Sequence, residues 1–154
     1  MRIIIKEVRV IKIALRVILV IALVLALYIY IKYKSWKTFD EEFKTLYEQD
    51  KYAEALIIAQ KELKSAEEIL FFNKFYVPPS LNNLGKVYHS QEKYDEAESY
   101  YQRSLKITES VFGENSLELA TVLENITKLY KKSGNEEEVQ KFLERAQRIR
   151  ATHK

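Results

Sequence analysis

The feature that most constrains the fold of this chain is an imperfect sequence repeat with a period of about 42 residues, within the range typical of stacked arrays. The segment KYDEAESYYQRSLKI at 93–107 has one copy at 51–65, KYAEALIIAQKELKS, and another at 134–148, GNEEEVQKFLERAQR, shifted by one position. Lys51, Lys93 and Asn135 therefore occupy equivalent positions. In such arrays successive units stack and bury a shared core. The sequence thus predicts a repeat protein.

The repeated units are predicted to be pairs of α-helices. Only three Gly and two Pro occur among 154 residues, which leaves few turns for an all-β fold. In the second unit, apolar or small residues recur three or four positions apart in two sets, as they do along one side of a helix. The first set is Leu81, Leu84, Val87 and Tyr88, and the second is Ala97, Tyr101, Ser104 and Leu105. We call the two helices of each unit A and B, and the predicted fold class is all-α.

Small residues and turn residues refine this pattern. Gly85, Ala97 and Ser104 are expected where the A and B helices approach closely, with large residues filling the space beside them. Pro78 and Pro79 are predicted in the first turn of the second A helix, where no backbone donor is lost. Gly134 is predicted to end the third A helix.

The repeats resemble tetratricopeptide repeats, specifically the 42-residue variety found in kinesin light chain. The resemblance covers roughly residues 38–151, in three units at about 36–76, 78–115 and 120–151. The matching residues of the second unit are Leu81, Leu84, Gly85, Tyr88, Tyr94, Ala97, Tyr101, Ser104 and Leu105. Those of the third unit are Leu123, Ile126, Tyr130, Gly134, Leu143 and Ala146. The first unit is more divergent and matches at Phe39, Phe43, Leu46, Tyr52, Ala55 and Leu63, with Phe43 where the family prefers a small residue.

A membrane anchor is predicted ahead of the repeats, within residues 1–36. Residues 17–31 carry no charge, and the apolar stretch extends back to Ile13 with Arg16 as its one interruption. About 20 apolar residues cross the roughly 30 Å hydrocarbon layer, and an Arg near the end can reach the interface. We therefore predict one transmembrane helix at about 13–32, followed by the repeat domain at 37–154.

Two alternatives to an anchor fit the sequence less well. A cleaved signal peptide needs a small-residue cleavage site after its apolar region, but here the bulky, basic sequence YIYIKYKSW follows. A buried core helix is disfavoured because the repeats have no need of fifteen unbroken apolar residues. The uncleaved anchor is the favoured interpretation.

Residues flanking the predicted span indicate contacts with lipid and an orientation. Basic residues recur every three or four positions before it and form a stripe suited to anionic headgroups or to a membrane partner. The interface is predicted at Arg2, Lys6, Arg9, Lys12, Arg16, Tyr28, Tyr30, Tyr33 and Trp36. Five basic residues lie before the span or in its first turn, and Lys32, Lys34 and Lys37 lie at its end or just after it, so the bias places the amino terminus in the cytoplasm and the repeats on the outer side.

Charge and motifs exclude other function classes. Residues 1–36 carry seven basic residues and one acidic residue, whereas residues 37–154 carry eighteen basic and twenty-one acidic residues. The repeats therefore lack the basic footprint of a nucleic-acid binder. The chain has no Cys, two His and none of the sequence motifs of catalytic or nucleotide-binding sites, so we expect no catalytic residues, no metal and no cofactor.

The resemblance implies a binding groove. In tetratricopeptide arrays the A helices line a concave surface that holds an extended peptide or a helix of a partner protein. Carried over by position, its residues here are Lys44, Tyr47, Asn82, Asn83, Lys86, His89, Glu124, Asn125, Lys128 and Lys132, with Asp40 and Thr121 beside them. One subtype of the family grips a terminal carboxylate, but the first and third units depart from its pattern.

Two features of the groove leave alternatives open. Asn83 and Asn125 occupy equivalent positions and could bind a peptide backbone, since an Asn side chain both donates and accepts. They could equally bridge neighbouring helices. Lys86, Lys128 and Lys132 raise the hypothesis of an acidic ligand.

Three further expectations concern the remainder of the chain. In the segment LFFNKFY at 70–76, Phe71, Phe72, Phe75 and Tyr76 are expected to pack between repeats, the alternative being an exposed aromatic patch for a partner or the membrane. An apolar stripe of Val139, Phe142, Leu143, Ala146 and Ile149 is expected to cover the end of the array, the alternative being a partner or a second copy. The sequon at Asn125 lies within the core pattern and is treated as a coincidence.

Together these features predict a membrane-anchored scaffold that recruits or holds partner proteins. The alternative is a small structural or assembly subunit of a larger membrane complex, whose transmembrane helix itself contacts other subunits.

Overall fold

The computed structural model describes the backbone of residues 2–69 and 72–153, and side chains at Glu7 and from Arg9 onward within those ranges. The described part contains six α-helices and no strand, which confirms the all-α class. The helices are α1 (Arg2–Glu48), α2 (Tyr52–Glu67), α3 (Asn73–Ser90), α4 (Tyr94–Phe112), α5 (Leu117–Ser133) and α6 (Glu136–Thr152). They pack as consecutive antiparallel pairs, α1 with α2, α3 with α4 and α5 with α6.

The first helix is longer than the sequence pattern indicated. The predicted span and the first A helix form one continuous helix of 47 residues, about 70 Å long at 1.5 Å per residue. The physical reason is that neither Gly nor Pro occurs before Pro78, so no residue interrupts the helix where the composition changes. The three helix pairs therefore account for all six described helices, and the predicted span is not a separate element.

The described side chains of α1 ahead of the repeats, at residues 9–31, are mostly apolar and largely exposed. By length and composition this part of α1 is sufficient to cross a membrane, and none of its most apolar window is buried within the protein. Leu19 and Leu23 illustrate this, with exposed fractions of 60% and 61%. Residues from Tyr33 onward, in contrast, pack on one side of α1 against α2 and α3.

The sequence period is also visible in the turns that join each A helix to its B helix. Asp50, Glu92 and Gly134 all have positive φ angles, of 58°, 59° and 76°. One residue further on, the N–H groups of Lys51, Lys93 and Asn135 donate to the carbonyls of Leu46, Tyr88 and Tyr130. The three turns thus share one left-handed geometry, and Gly134 ends α5 as predicted.

Two apolar clusters hold the pairs together. The first contains Phe43, Ala55, Ile58, Ala59, Leu84 and Val87, and it joins α1, α2 and α3. The second joins α4, α5 and α6 through Ala97, Tyr101, Leu119, Leu123, Ile126, Phe142, Ala146 and Ile149. A Cβ at Gly85 would lie 2.5 Å from the Tyr101 ring, so a small residue is required where α3 crosses α4, as predicted.

The start of α3 differs from the prediction. Pro78 and Pro79 lie inside this helix, which begins at Asn73, and not in its first turn. Proline lacks an N–H group, so the carbonyls of Lys74 and Phe75 lose their intrahelical donors. Both residues are exposed, and solvent can therefore bond to these carbonyls.

The aromatic segment before α3 packs between repeats only in part. The Tyr76 ring lies 4.7 Å from Trp36 and 5.6 Å from Tyr33, measured between ring centroids. Phe72 and Phe75 remain 46% and 37% exposed, which corresponds to the alternative of an exposed aromatic patch. Phe71 lies outside the described residues.

The apolar stripe of α6 packs against the array as expected. Val139, Phe142, Ala146 and Ile149 are buried and Leu143 is half-buried. The opposite side of the helix is polar and exposed at Glu137, Lys141, Glu144 and Arg148.

Candidate protein-binding groove

The three A helices bring the predicted groove residues side by side. The carboxyl-terminal part of α1 contacts α3, and α3 contacts α5. Three pairs show this directly: the Tyr47 and Ser90 hydroxyls are 2.8 Å apart, Asn125 donates to Asn82 over 3.1 Å, and Lys86 lies above the Tyr47 ring. The groove is therefore a continuous surface across the three units.

Lys86 occupies the centre of this surface. Its Nζ lies 4.4 Å from the centroid of the Tyr47 ring and 5.3 Å from that of Phe43, so two aromatic rings position the ammonium group. Burial lowers the pKa of Lys86, and the positive charges of Lys128 and Lys44 lower it further. Asp40 and Glu62 act in the opposite direction but do not reverse the shift. A partly dehydrated ammonium group with other positive charges nearby is stabilised by an added anion.

Asn83 is engaged inside the fold. Its side-chain amide donates to both carboxylate oxygens of Glu62, over 3.2 and 3.0 Å, and lies 3.5 Å from Asp40. Ser80 donates to the same carboxylate over 2.9 Å. Asn83 thus links α3 to α2, as in the alternative where the Asn residues bridge neighbouring helices.

Glu62 is the buried acid of this network. It is fully enclosed, and burial raises its pKa to about 7 although the Asn83 and Ser80 hydrogen bonds act in the opposite direction. The nearby charges are Asp40, which raises the pKa, and Lys44, which lowers it. Position 62 was not predicted as important. The signal was present in the sequence, since Glu62 continues the buried stripe of Ala55, Ala59 and Ala66 on α2.

Asn125 has the equivalent role in the next unit. Its amide donates to the Asn82 side-chain oxygen, and both residues are buried. This bond joins α5 to α3, so the equivalent Asn positions both connect a helix to its neighbour. Their use as ligand-binding groups remains a prediction.

The exposed part of the groove is basic at its third unit. Lys128 and Lys132 are exposed, whereas Glu124 is paired with Arg150 of α6 at 2.9 Å. His89 lies nearby, half-buried, and burial together with the charges of Lys132 and Lys128 lowers its pKa. At the other end of the groove, Lys44 is paired with Asp40 at 2.6 Å.

The predicted interfacial residues fall into two groups. Arg9, Lys12, Arg16, Tyr28 and Tyr30 lie along α1 with exposed or half-exposed side chains, while the side chains of Arg2 and Lys6 lie outside those described. Tyr33 and Trp36 are half-buried, and the Trp36 indole N–H donates to the Ser80 hydroxyl over 2.9 Å. Trp36 therefore connects α1 to the network of Ser80 and Glu62.

The described helices form antiparallel pairs, the three units share a left-handed turn, and the A helices line a groove. These features define an α-helical repeat protein of the interaction class. The profile of the tetratricopeptide repeat family matches residues 76–152, half of the chain. The chain belongs to this family, as its sequence pattern predicted. Such domains generally bind protein partners and are generally not catalytic.

Two solved structures share the fold. The tetratricopeptide repeat domain of Arabidopsis FLU matches with a TM-score of 0.68 and 19% sequence identity. The match covers 79% of this chain and 98% of the FLU domain. BtubC (BKLC) from P. vanneervenii has a TM-score of 0.62 at 16% identity over 81% of this chain. The chain spans 56% of BtubC. Both likenesses concern the fold alone. No curated protein matches the sequence.

Proposed function

We propose that this chain is a membrane-anchored scaffold, which holds partner proteins in the groove of its repeats and acts by binding rather than catalysis. The observation that carries the proposal is the continuity of α1. One helix has an apolar, exposed stretch and a carboxyl-terminal part that forms the first A helix of the array. Exposed apolar surface of this extent is costly in water at about 25 cal/mol per Å². Lipid is the solvent that suits it.

Contacts across the end of the span support an anchor that is retained. Tyr33 and Trp36 pack against Tyr76, and Lys32 forms an ion pair with Glu68 at 2.5 Å. These three residues directly follow the apolar stretch, so cleavage beyond Trp36 would remove the contacts and cleavage within residues 32–36 would remove part of them. In the proposed division, residues 1–36 form the anchor and residues 37–154 the repeat domain, with α1 passing from one to the other without a break.

The distribution of basic residues supports one orientation. We infer a single pass with the amino terminus in the cytoplasm and the repeats on the outer side. Arg9, Lys12 and Arg16 are exposed along one side of α1 and suit anionic headgroups on the cytoplasmic leaflet. A single Cys at the exposed position Ile57 tests this orientation, because the chain has no other Cys. A membrane-impermeant maleimide added to intact cells should label it, and protection until lysis would reverse the assignment.

The groove favours an acidic segment of a partner protein. Lys86, Lys128 and Lys132 present positive charge along it, while Glu124 and Asp40 are occupied by ion pairs with Arg150 and Lys44. Opposite charge on the partner would guide its approach and fix its register. The proposed ligand is an extended peptide or a helix with carboxylates facing these lysines.

Membrane anchoring is tested by alkaline carbonate extraction of the full-length protein. The wild type should stay in the membrane pellet at its full mass. A variant with Leu19→Lys and Leu23→Lys should become extractable, because two charges at the centre of the span each cost about 2.5–3.5 kcal/mol. Both positions are exposed, so the repeats should keep their packing. A wild type that is extracted, or that lacks its first residues, would contradict the anchor.

A further inference from the structure

The end of α2 lies beside the end of the proposed span. The Tyr28 hydroxyl is 3.4 Å from the Glu68 carbonyl oxygen, and the Lys32 ammonium is 2.5 Å from the Glu68 carboxylate. Because α2 runs antiparallel to α1, the carboxyl end of α2 at Glu68 is placed level with residues 28–32. These are the last residues of the predicted span.

Described residues on either side of positions 70–71 contact α1 further toward its amino terminus. Ala26, Ile29 and Tyr33 of α1 line a shallow apolar hollow, whose other side is formed by Ile69, Phe72 and Tyr76. Ala26 precedes Lys32 by six residues, which corresponds to about 9 Å along the helix axis. Described residues on both sides of the turn therefore lie alongside the final turns of the apolar helix.

Two aromatic side chains at this turn remain exposed. Phe72 is 46% exposed and Phe75 is 37% exposed, and their ring centroids are 6.5 Å apart. Phe72 continues the exposed apolar surface of α1, because it lines the same hollow as Tyr30. Phe75 lies beside Phe72 and also contacts Phe112 of α4, with 5.8 Å between the ring centroids. We call Phe72 and Phe75 the aromatic pair.

A basic residue adjoins the aromatic pair. Lys74 lies between them in sequence and places its Nζ 5.3 Å from the Phe75 ring centroid. Lys74 is exposed, and the neighbouring Glu68 is already paired with Lys32. Apolar rings with a lysine at their edge are typical of segments that lie in the interface of a bilayer with anionic lipid.

We propose that the aromatic pair inserts into the interfacial layer of the same bilayer that α1 crosses, so that the array has a second contact with lipid. Continuity with the exposed apolar surface of α1 is the reason for choosing lipid as the occupant. The proposal rests on the anchor proposed above. Its consequence is that two contacts, rather than one, hold the repeats at a fixed tilt to the membrane and orient the groove.

The absence of Cys from the chain permits a direct test by spin labelling. Full-length variants carry one nitroxide each, at Leu23 in the span, at Phe72, at Phe75 or at Ile57. They are reconstituted in phosphatidylcholine vesicles containing phosphatidylglycerol, and collision rates with oxygen and with a water-soluble nickel chelate are measured. Ile57 is an exposed apolar control on α2, eleven residues and about 16 Å from Glu68.

The expected ratio of oxygen to nickel collisions is highest at position 23, intermediate at 72 and 75, and low at 57. A high ratio at 23 with aqueous values at 72 and 75 would overturn the second contact and leave the anchor intact. An aqueous value at 23 would overturn the anchor itself. Shielding of 72 and 75 from both reagents would show that protein covers the pair, which would also overturn lipid as the occupant.

A second variant separates the role of the rings from that of the label. With the nitroxide at Lys74, the double substitution Phe72→Ser and Phe75→Ser should lower the collision ratio severalfold compared with the same label beside intact rings. Both rings are exposed, so far-UV circular dichroism should be unchanged. An unchanged ratio at position 74 would show that the rings do not hold this turn at the membrane.

Discussion

Replacement of Glu62 by Gln is expected to change the pH dependence of stability. Glu62 is fully enclosed, and its pKa in the folded protein is about 7, against 4.5 for an unperturbed Glu. Because the folded-state pKa is the higher one, the native protein retains a proton that the unfolded chain has released. The free energy of unfolding should therefore fall as the pH rises from about 5 to about 8.

The size of this effect follows from the shift in pKa. At about 1.36 kcal/mol per pKa unit, the free energy of unfolding falls by about 3 kcal/mol between pH 5 and pH 8. For a domain of this size, this corresponds to a decrease of roughly 10 °C in Tm. The Gln side chain is neutral at every pH and can still accept from Asn83 and Ser80. The variant should match the wild type near pH 5 and exceed its stability near pH 8.

The assay is thermal unfolding of the full-length protein in mild detergent at several pH values, followed by circular dichroism and by Trp36 fluorescence. His89 has a lowered pKa and contributes in the opposite direction, but it is present in both proteins and cancels in the difference. Glu67→Gln, at an exposed position on the same helix, is the matched control. A difference between Glu62→Gln and wild type that does not grow with pH would show that the folded protein does not hold a proton on Glu62 near neutral pH.

Three further substitutions test the packing. Gly85→Ala should destabilise the array by about 1–3 kcal/mol in urea unfolding, since its Cβ would lie 2.5 Å from the Tyr101 ring. In an open helix, Ala in place of Gly normally stabilises by about 1 kcal/mol. A gain in stability would therefore contradict the close approach of α3 and α4. Ala97→Leu, at a fully buried site, should overpack the helix pair by about 1–3 kcal/mol, and unchanged thermal melting would undo this assignment. Asn125→Ala should lower the free energy of unfolding by about 1–2 kcal/mol, because the buried Asn82 oxygen loses its donor. If stability is unchanged and partner binding is lost, Asn125 contacts the ligand instead.

The repeat was predictable from sequence because its structural requirements recur in register. Asp50, Glu92 and Gly134 adopt the same backbone geometry at equivalent positions of the three units, and the small residue at position 85 is fixed by contact with Tyr101. These constraints act locally or between the two helices of one unit. The pattern of residues along the chain is sufficient to reveal them.

The junction at residues 32–48 was less predictable. A change from apolar to charged residues looks like a boundary between elements, but hydropathy reports the surroundings of a helix and not its ends. Helix ends require a residue or a turn that stops the backbone, and the first such turn follows Glu48. The predicted span and the first A helix are therefore one element, with an exposed apolar part and a part that packs in the array.

The groove shows the same limit at the level of side chains. Family resemblance predicted which residues would lie side by side, and Tyr47, Lys86 and Asn125 do lie on adjoining A helices. It did not predict that Asn83 bonds to Glu62, because the partner lies on a B helix 21 residues away. The hydrogen-bonding state of a polar side chain depends on such distant neighbours.

The most direct test of the membrane-anchored scaffold is co-purification of partners with full-length protein in mild detergent. Two variants are compared with the wild type: one carries Lys86→Met and Lys128→Glu, and the other has residues 17–27 replaced by an unrelated apolar sequence. Met keeps the packing of the Lys86 stem over Tyr47, so the first variant changes charge with little loss of fold. Our account predicts that the groove variant loses the partner proteins and that the span variant retains them. Retention by the groove variant, with loss by the span variant, would instead indicate a subunit whose transmembrane helix contacts the rest of a complex.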